Sequence, residues 1–284
     1  MRALALALAG AAWLLALEPD VVRLSAGWQI QSSAKVTQAG ETISRVGFDA
    51  AGWHPATVPT TVLAALVENQ VYPGPYFGLN LKRIPGYREG RWLVMPQGSP
   101  FRDPWWYRTE FALPASYRGK HLTLHLDGIN YQANLWLNGR RIADSRTVIG
   151  MFRRFEFPIN EYALIGQRNC LAIEIIPPAL LPDKPYTTKQ LEATTGWDDH
   201  NPQPPDANMG IWRDVYIRAT GPVVLKYPDV VTKLDLPSLE AAHLTVSAEV
   251  VNLSEGPVEG ELRGEIEKIR FTQPVRVGAK EARL

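Results

Sequence analysis

The chain has 284 residues, 45% of them hydrophobic, 10% aromatic and 21% charged; this is the balance of a globular protein and excludes a disordered tail, a collagen or a coiled coil. Lys and Arg number 30 against 29 Asp and Glu, a formal net charge of +1, and no long basic run disturbs the balance, so nucleic acid is not an expected partner. With 22 Gly and 23 Pro the chain carries more turn formers than a helical bundle does, which points to strands.

Met1-Arg2 is followed by the uncharged apolar stretch Ala3 to Leu17 and then by Glu18-Pro19-Asp20. Fifteen residues fall short of the ~20 that a membrane-spanning helix needs. A basic residue, an apolar stretch and a polar flank have the form of a secretory signal peptide over residues 1–18, although Ala16-Leu17-Glu18 is a poor cleavage site. This predicts a secreted or periplasmic protein without a stable membrane span.

One short helix is predicted over Thr60 to Asn69, with Val62, Leu63, Leu66 and Val67 on one side and Thr60 or Thr61 as cap. From Trp28 onward the period is otherwise mostly two. Leu122, Leu124 and Leu126 alternate with Thr123, His125 and Asp127, and Ala133, Leu135 and Leu137 lead into Asn138-Gly139 and a return strand, Arg140 to Ala143. Asn-Gly between two such runs is a strong hairpin signal, because both residues tolerate positive φ. Phe155 and Phe157, then Leu171, Ile173 and Ile175, then Ile211, Arg213, Val215 and Ile217 continue the pattern. Spacings of this kind predict an all-β antiparallel sandwich over residues 19–221.

Beyond Gly221-Pro222 a second all-β unit is expected. Leu244, Val246, Ala248 and Val250 form one apolar row, Asn252 to Pro257 turns the chain, and Val258, Leu262 and Ile266 form another, which reads as a half-buried hairpin. Residues 222–284 fall short of the ~100 of a full immunoglobulin-like domain.

Few residues offer chemistry. Cys170, the single cysteine, lies in an apolar strand and reads as a small buried side chain. The five His show no metal-ligand spacing, and His121 and His125 read as surface residues of a strand; no metal or cofactor is expected. Asn160-Glu161 reads as a polar turn, and the sequon Asn252-Leu253-Ser254 as a chance match. Trp105, Trp106, Trp136 and Trp212 read as core, and Arg108 and Arg213 as partners of acidic neighbours. The richest segment is the long loop from Thr194 through Gly196-Trp197-Asp198 to Gly210-Ile211-Trp212. Carboxylates beside an indole suit a sugar, and they serve equally to anchor the loop.

Several of these runs, taken together, resemble glycoside hydrolase family 2. They are Trp105-Trp106-Tyr107-Arg108, Leu126-Asp127-Gly128-Ile129-Asn130-Tyr131 with Leu135-Trp136-Leu137-Asn138-Gly139, and Gly196-Trp197-Asp198 with Gly210-Ile211-Trp212-Arg213-Asp214-Val215. Ser99-Pro100-Phe101 and Gly74-Pro75-Tyr76-Phe77-Gly78-Leu79-Asn80 are similar to its exo-β-glucosaminidase and β-mannosidase branch. The resemblance implies a jelly-roll, galactose-binding-like sandwich followed by a partial immunoglobulin-like sandwich. These would form the amino-terminal part of a retaining β-glycosidase whose two catalytic Glu lie on a (β/α)₈ barrel. On that reading the chain has no catalytic residue and is inactive alone. It would shape the terminal-sugar subsite for a β-linked oligosaccharide or glycoside, with Asp198 and Trp197 as substrate contacts and Asn80 as another. Asp199 stands where the family often has an aromatic, and Ala207 where it often has Arg. The alternatives are a free-standing carbohydrate-binding sandwich without catalysis and a purely structural sandwich.

Overall fold

The structure, a computed structural model, describes residues 20–87, 95–177 and 204–284; the expected signal segment therefore lies outside the described residues. The strands begin with β1 (Val21–Arg23), β2 (Trp28–Ser32), β3 (His54–Ala56), β4 (Thr60–Thr61), β5 (Trp105–Ala112) and β6 (His121–Leu126). Next come β7 (Ile129–Asn130), β8 (Gln132–Leu137), β9 (Arg140–Ala143), β10 (Phe155–Pro158), β11 (Arg168–Ile176), β12 (Gly210–Ile211) and β13 (Val215–Thr220). The chain closes with β14 (Val223–Leu234), β15 (Ala242–Asn252), β16 (Val258–Ile266), β17 (Ile269–Val277) and β18 (Ala282–Arg283). Among the described residues two α-helices, α1 (Gly40–Ile43) and α2 (Val62–Glu68), are formed. By contacts the chain divides into two compact units, one running to Arg118 and from Leu122 to Arg218, the other made of Gly119–His121 and Ala219–Leu284.

The first unit is an all-β sandwich. One sheet has the order β1-β13-β6-β10, the other β3-β2-β5-β11-β8-β9, and a small third sheet has the order β4-β12-β7. The alternation seen in the sequence sets the core: Leu122, Leu124 and Leu126 of β6, Leu171, Ile173 and Ile175 of β11, and Val215 and Ile217 of β13 are buried. Strand β5 departs from alternation, since Trp105, Trp106, Tyr107, Arg108 and Thr109 are all buried. The reason is a second apolar layer, in which Ile43 of α1 packs with Trp106, Trp136 and Ala172, and Val36, Phe48 and Trp53 close over them. Arg108 enters this layer because its fork is satisfied. Its Nε donates to Ile43 O at 3.0 Å and its Nη2 to Arg45 O at 2.9 Å, and it pairs with Glu110, which also pairs with Arg168.

The β8–β9 hairpin forms as expected, with Leu137 opposite Arg140 and both turn residues left-handed, Asn138 at φ 54° and Gly139 at φ 82°. Helix α2 starts at the expected cap, where the Thr61 hydroxyl accepts Ala64 N–H at 3.2 Å, and it buries Val62, Leu63 and Leu66. Cys170 is fully buried, and that burial, the main cause, pushes its thiol pKa up to about 12. Asn160 acts as a turn residue, its Oδ1 accepting Leu122 N–H at 2.9 Å.

Four expectations are corrected. His125 is buried, not exposed: its ring stacks on Tyr216 at 4.5 Å, so the strand face that alternation assigns to solvent is covered there by an aromatic neighbour. The Ile211-to-Ile217 run is not one strand, because exposed Arg213 lies between β12 and β13. Arg213 is placed over the Trp212 ring, 4.8 Å from its centroid, where an acidic partner was expected. Strands β15 and β16 do not pair as a hairpin. β15 pairs with β14, and β16 with β17, so the turn between them crosses from one sheet to another. Buried Asn252 fixes that corner, its amide donating to Gly256 O and Gly278 O, both at 2.8 Å; the sequon asparagine is thereby spent on structure.

In the second unit, β14, β15 and β18 form one sheet and β16 and β17 another. A cavity of about 220 Å³ is lined by Val223, Leu225, Val250, Val258, Leu262 and Val277, among others. Val230, Val231, Leu234, Leu244 and Val246 remain exposed.

Candidate functional site

The polar constellation of the first unit is built on the small β4-β12-β7 sheet. Gly210 lies opposite both Thr61 and Asn130, and Ile211 opposite both Thr60 and Ile129. Only glycine fits this crossing: φ is +147°, and a Cβ would lie 2.7 Å from Thr60 O, Thr61 Cα and the Tyr107 hydroxyl. A strap, Pro204 to Met209, leads into β12 with Ala207 and Asn208 both left-handed, at φ 49° and 54°. Two non-glycine residues in that region need outside support.

Asp206 supplies part of it. Its side chain is buried, with Oδ2 accepting Leu63 N–H of α2 at 2.9 Å and Oδ1 accepting Asn208 N–H at 3.0 Å. Burial, the largest influence, pushes the Asp206 pKa up to about 6 despite those bonds. Tyr107 on β5 faces it, and burial followed by the Asp206 charge raises the phenol well above its ordinary range.

Asn130 supplies the rest. Its Nδ2 donates to Ala207 O at 2.9 Å and to Asn208 O at 3.0 Å, so both amide hydrogens are committed to the strap. Its Oδ1 is buried and accepts no hydrogen bond among the described residues. An unfilled buried acceptor is costly, on the order of 1–3 kcal/mol, and a hydroxyl or an ammonium is the chemistry that would fill it. Trp212, next along the chain from β12, donates Nε1–H to Met151 O at 3.2 Å and meets exposed Phe152 edge-on at 5.8 Å.

Of the residues that the family resemblance singles out, Trp197 and Asp198 lie outside the described residues. Asn80 is described and is engaged in its own turn, its Nδ2 donating to Gly74 O at 3.1 Å, while Tyr76, Phe77 and Leu79 of the same loop are exposed. Asn130 and Asp206 escaped the sequence reading. Asn130 stands inside a quoted motif, yet its solitary acceptor depends on a strap 77 residues away. Asp206 gives no sign in sequence that it reaches a helix 143 residues earlier. Among the described residues no group of three or more His, Cys, Asp or Glu could hold a metal ion, and no helix is long and apolar enough to cross a membrane.

The family model described as a glycosyl hydrolase 2 galactose-binding domain-like domain matches residues 28–213. The exo-β-D-glucosaminidase of Streptomyces avermitilis is 35% identical over 257 residues, covering 90% of this chain and 26% of the relative. The crystal structure of the Amycolatopsis orientalis exo-chitosanase aligns with a TM-score of 0.73 at 29% identity, covering 93% of this chain and 28% of that one. A β-D-mannosidase from Dictyoglomus thermophilum aligns with a TM-score of 0.65 at 20% identity, a likeness of fold alone. The chain thus spans about a quarter of the length of the relatives it matches. Its β-sandwich, its ordered motifs and the match over residues 28–213 together place the chain in glycoside hydrolase family 2.

Proposed function

We propose that the chain is the non-catalytic amino-terminal part of an exported family 2 β-glycosidase, and that its first unit shapes the subsite for the terminal sugar over a catalytic (β/α)₈ barrel. The unfilled acceptor of Asn130 carries this reading. It is a buried oxygen, fixed by two donated bonds, on a platform beside the Gly210-Ile211-Trp212 motif. Such an oxygen suits a sugar hydroxyl or the ammonium of an amino sugar. The similarity to exo-β-D-glucosaminidases favours a β-linked glucosamine residue as the sugar. Asp198 and Trp197 would add a charged acceptor and a stacking face, and Asn80 a further contact.

The second unit supports the same reading, because its exposed apolar side chains, Val230, Val231, Leu244 and Val246, suit a surface that further polypeptide covers. Jelly-roll and immunoglobulin-like domains meeting near Gly221, and a secreted or periplasmic location set by residues 1–18, belong to the proposal. The test is to assay the chain for hydrolysis of p-nitrophenyl β-D-glucosaminide and for binding of a β-linked glucosamine disaccharide. Binding without hydrolysis, lost in Asp198→Ala and Asn130→Ala, is expected. Hydrolysis by the chain, or binding that neither substitution alters, contradicts the proposal.

A further inference from the structure

The Asp206 carboxylate holds one group that is remote in sequence and one that is only two residues away. It ties the strap to the first turn of α2 through Leu63 N–H and bends the strap on itself through Asn208 N–H. The two carbonyls that the strap thereby presents, of Ala207 and Asn208, are the ones that accept both hydrogens of the Asn130 amide. If the strap moved, those carbonyls would move, and the amide could rotate to hydrogen-bond elsewhere.

We propose that Asp206 is a positioning residue: it orients the Asn130 amide through the strap, so that Oδ1 is held as an acceptor for a donor group of the bound sugar. The inference rests on the sugar-subsite reading given above, but its central statement concerns only the coupling of Asp206 to Asn130. A helix cap alone would require the Leu63 bond and nothing more. The second carboxylate oxygen, the paired left-handed residues and the two amide bonds are what a positioning role adds. Among the described residues, Tyr107 is the titratable side chain that faces Asp206, and its raised pKa keeps it protonated at neutral and acidic pH. Among the described residues, ionisation of Asp206 is therefore the local change in charge as pH passes through about 6.

The test follows the Asn130 side-chain amide by NMR in the 284-residue chain from about pH 4.5 to about pH 7.5. In the wild type both amide protons shift with one midpoint near pH 6, and in Asp206→Asn that titration disappears. Asn69→Ala serves as the control for mere helix support. It removes the bonds from Asn69 Nδ2 to Pro55 O and Ala65 O at the far end of α2, lowers Tm, and leaves the Asn130 titration in place. In a titration with a β-linked glucosamine disaccharide, Asp206→Asn binds roughly tenfold more weakly than wild type, about the loss of one good hydrogen bond, and Asn69→Ala binds as the wild type does. Asn130 signals that stay flat with pH in the wild type, or that titrate unchanged in Asp206→Asn, overturn the positioning role. So do disaccharide affinities reduced equally by both substitutions. A wild-type chain that binds no disaccharide overturns the subsite reading, and the amide titration then decides the coupling alone.

Discussion

The Asp206 carboxylate accepts the backbone N–H of Leu63 at 2.9 Å across 143 residues of chain, fastening the segment that enters β12 to the start of α2. The two left-handed residues after it and the Gly210 crossing depend on that fastening, and Asn130 reads it out. Asp206→Ala leaves the Leu63 and Asn208 N–H groups without their acceptor, and a loss of about 2–4 kcal/mol is expected. Urea denaturation at neutral pH checks it.

The raised pKa of Asp206 has a definite sign. Its folded value of about 6 lies above the ordinary carboxylate value of 3.8, so the folded state holds the proton more tightly. That contribution is complete below about pH 4 and is lost as pH rises through about 6. Wild type should therefore lose stability over that window relative to Asp206→Asn, by about 3 kcal/mol at most. Melting curves of the two proteins at several pH values measure it, and parallel curves would show that the carboxyl does not titrate there.

Gly210→Ala should disrupt the platform. The new methyl would meet Thr60 O, Thr61 Cα and the Tyr107 hydroxyl at 2.7 Å, with φ at +147°, and a cost of at least about 2 kcal/mol follows. Gly221→Ala meets nothing within 4 Å and should change stability by no more than about 0.5 kcal/mol. Thermal unfolding of the pair gives the comparison.

Arg108→Lys should destabilise the first unit more than a surface exchange does. A lysine cannot reproduce the planar fork that reaches Ile43 O, Arg45 O and Glu110. Burial pushes the Glu110 pKa upward, and the bonds from Arg108 and Gly47 with the charges of Arg108 and Arg168 outweigh it. Loss of the fork should therefore bring Glu110 back up, read by NMR as a shift of its carboxylate titration midpoint toward higher pH, together with a lower Tm.

Much of the sandwich was legible because its determinants are local. The alternating leucines of β6, the Asn138-Gly139 hairpin and the Thr61 cap each specify structure within a few residues. The misread positions are those where distant chain decides. Tyr216 covers His125, and Asn252 turns β15 away from β16. Asn80 was legible as a motif residue, yet its amide closes its own turn. Asn130 and Asp206 could not be found by spacing, since their bonds reach 77 and 143 residues along the chain.

The exposed apolar strands of the second unit should limit solubility. A chain ending before Pro222 omits Val230, Val231, Leu244 and Val246, all exposed, and should stay monomeric at concentrations where the 284-residue chain associates. Light scattering and melting of the two chains test this; identical behaviour would show that these strands are not a liability.

The most direct test of Asn130 as a sugar acceptor is an NMR titration of the wild-type chain with a β-linked glucosamine disaccharide. Saturable shifts of the Asn130 side-chain amide, abolished when the disaccharide is replaced by an uncharged, non-carbohydrate polyol, are the predicted result. An Asn130 amide that stays unmoved while the sugar is raised to tens of millimolar, roughly the weakest affinity a single subsite would show, would contradict it.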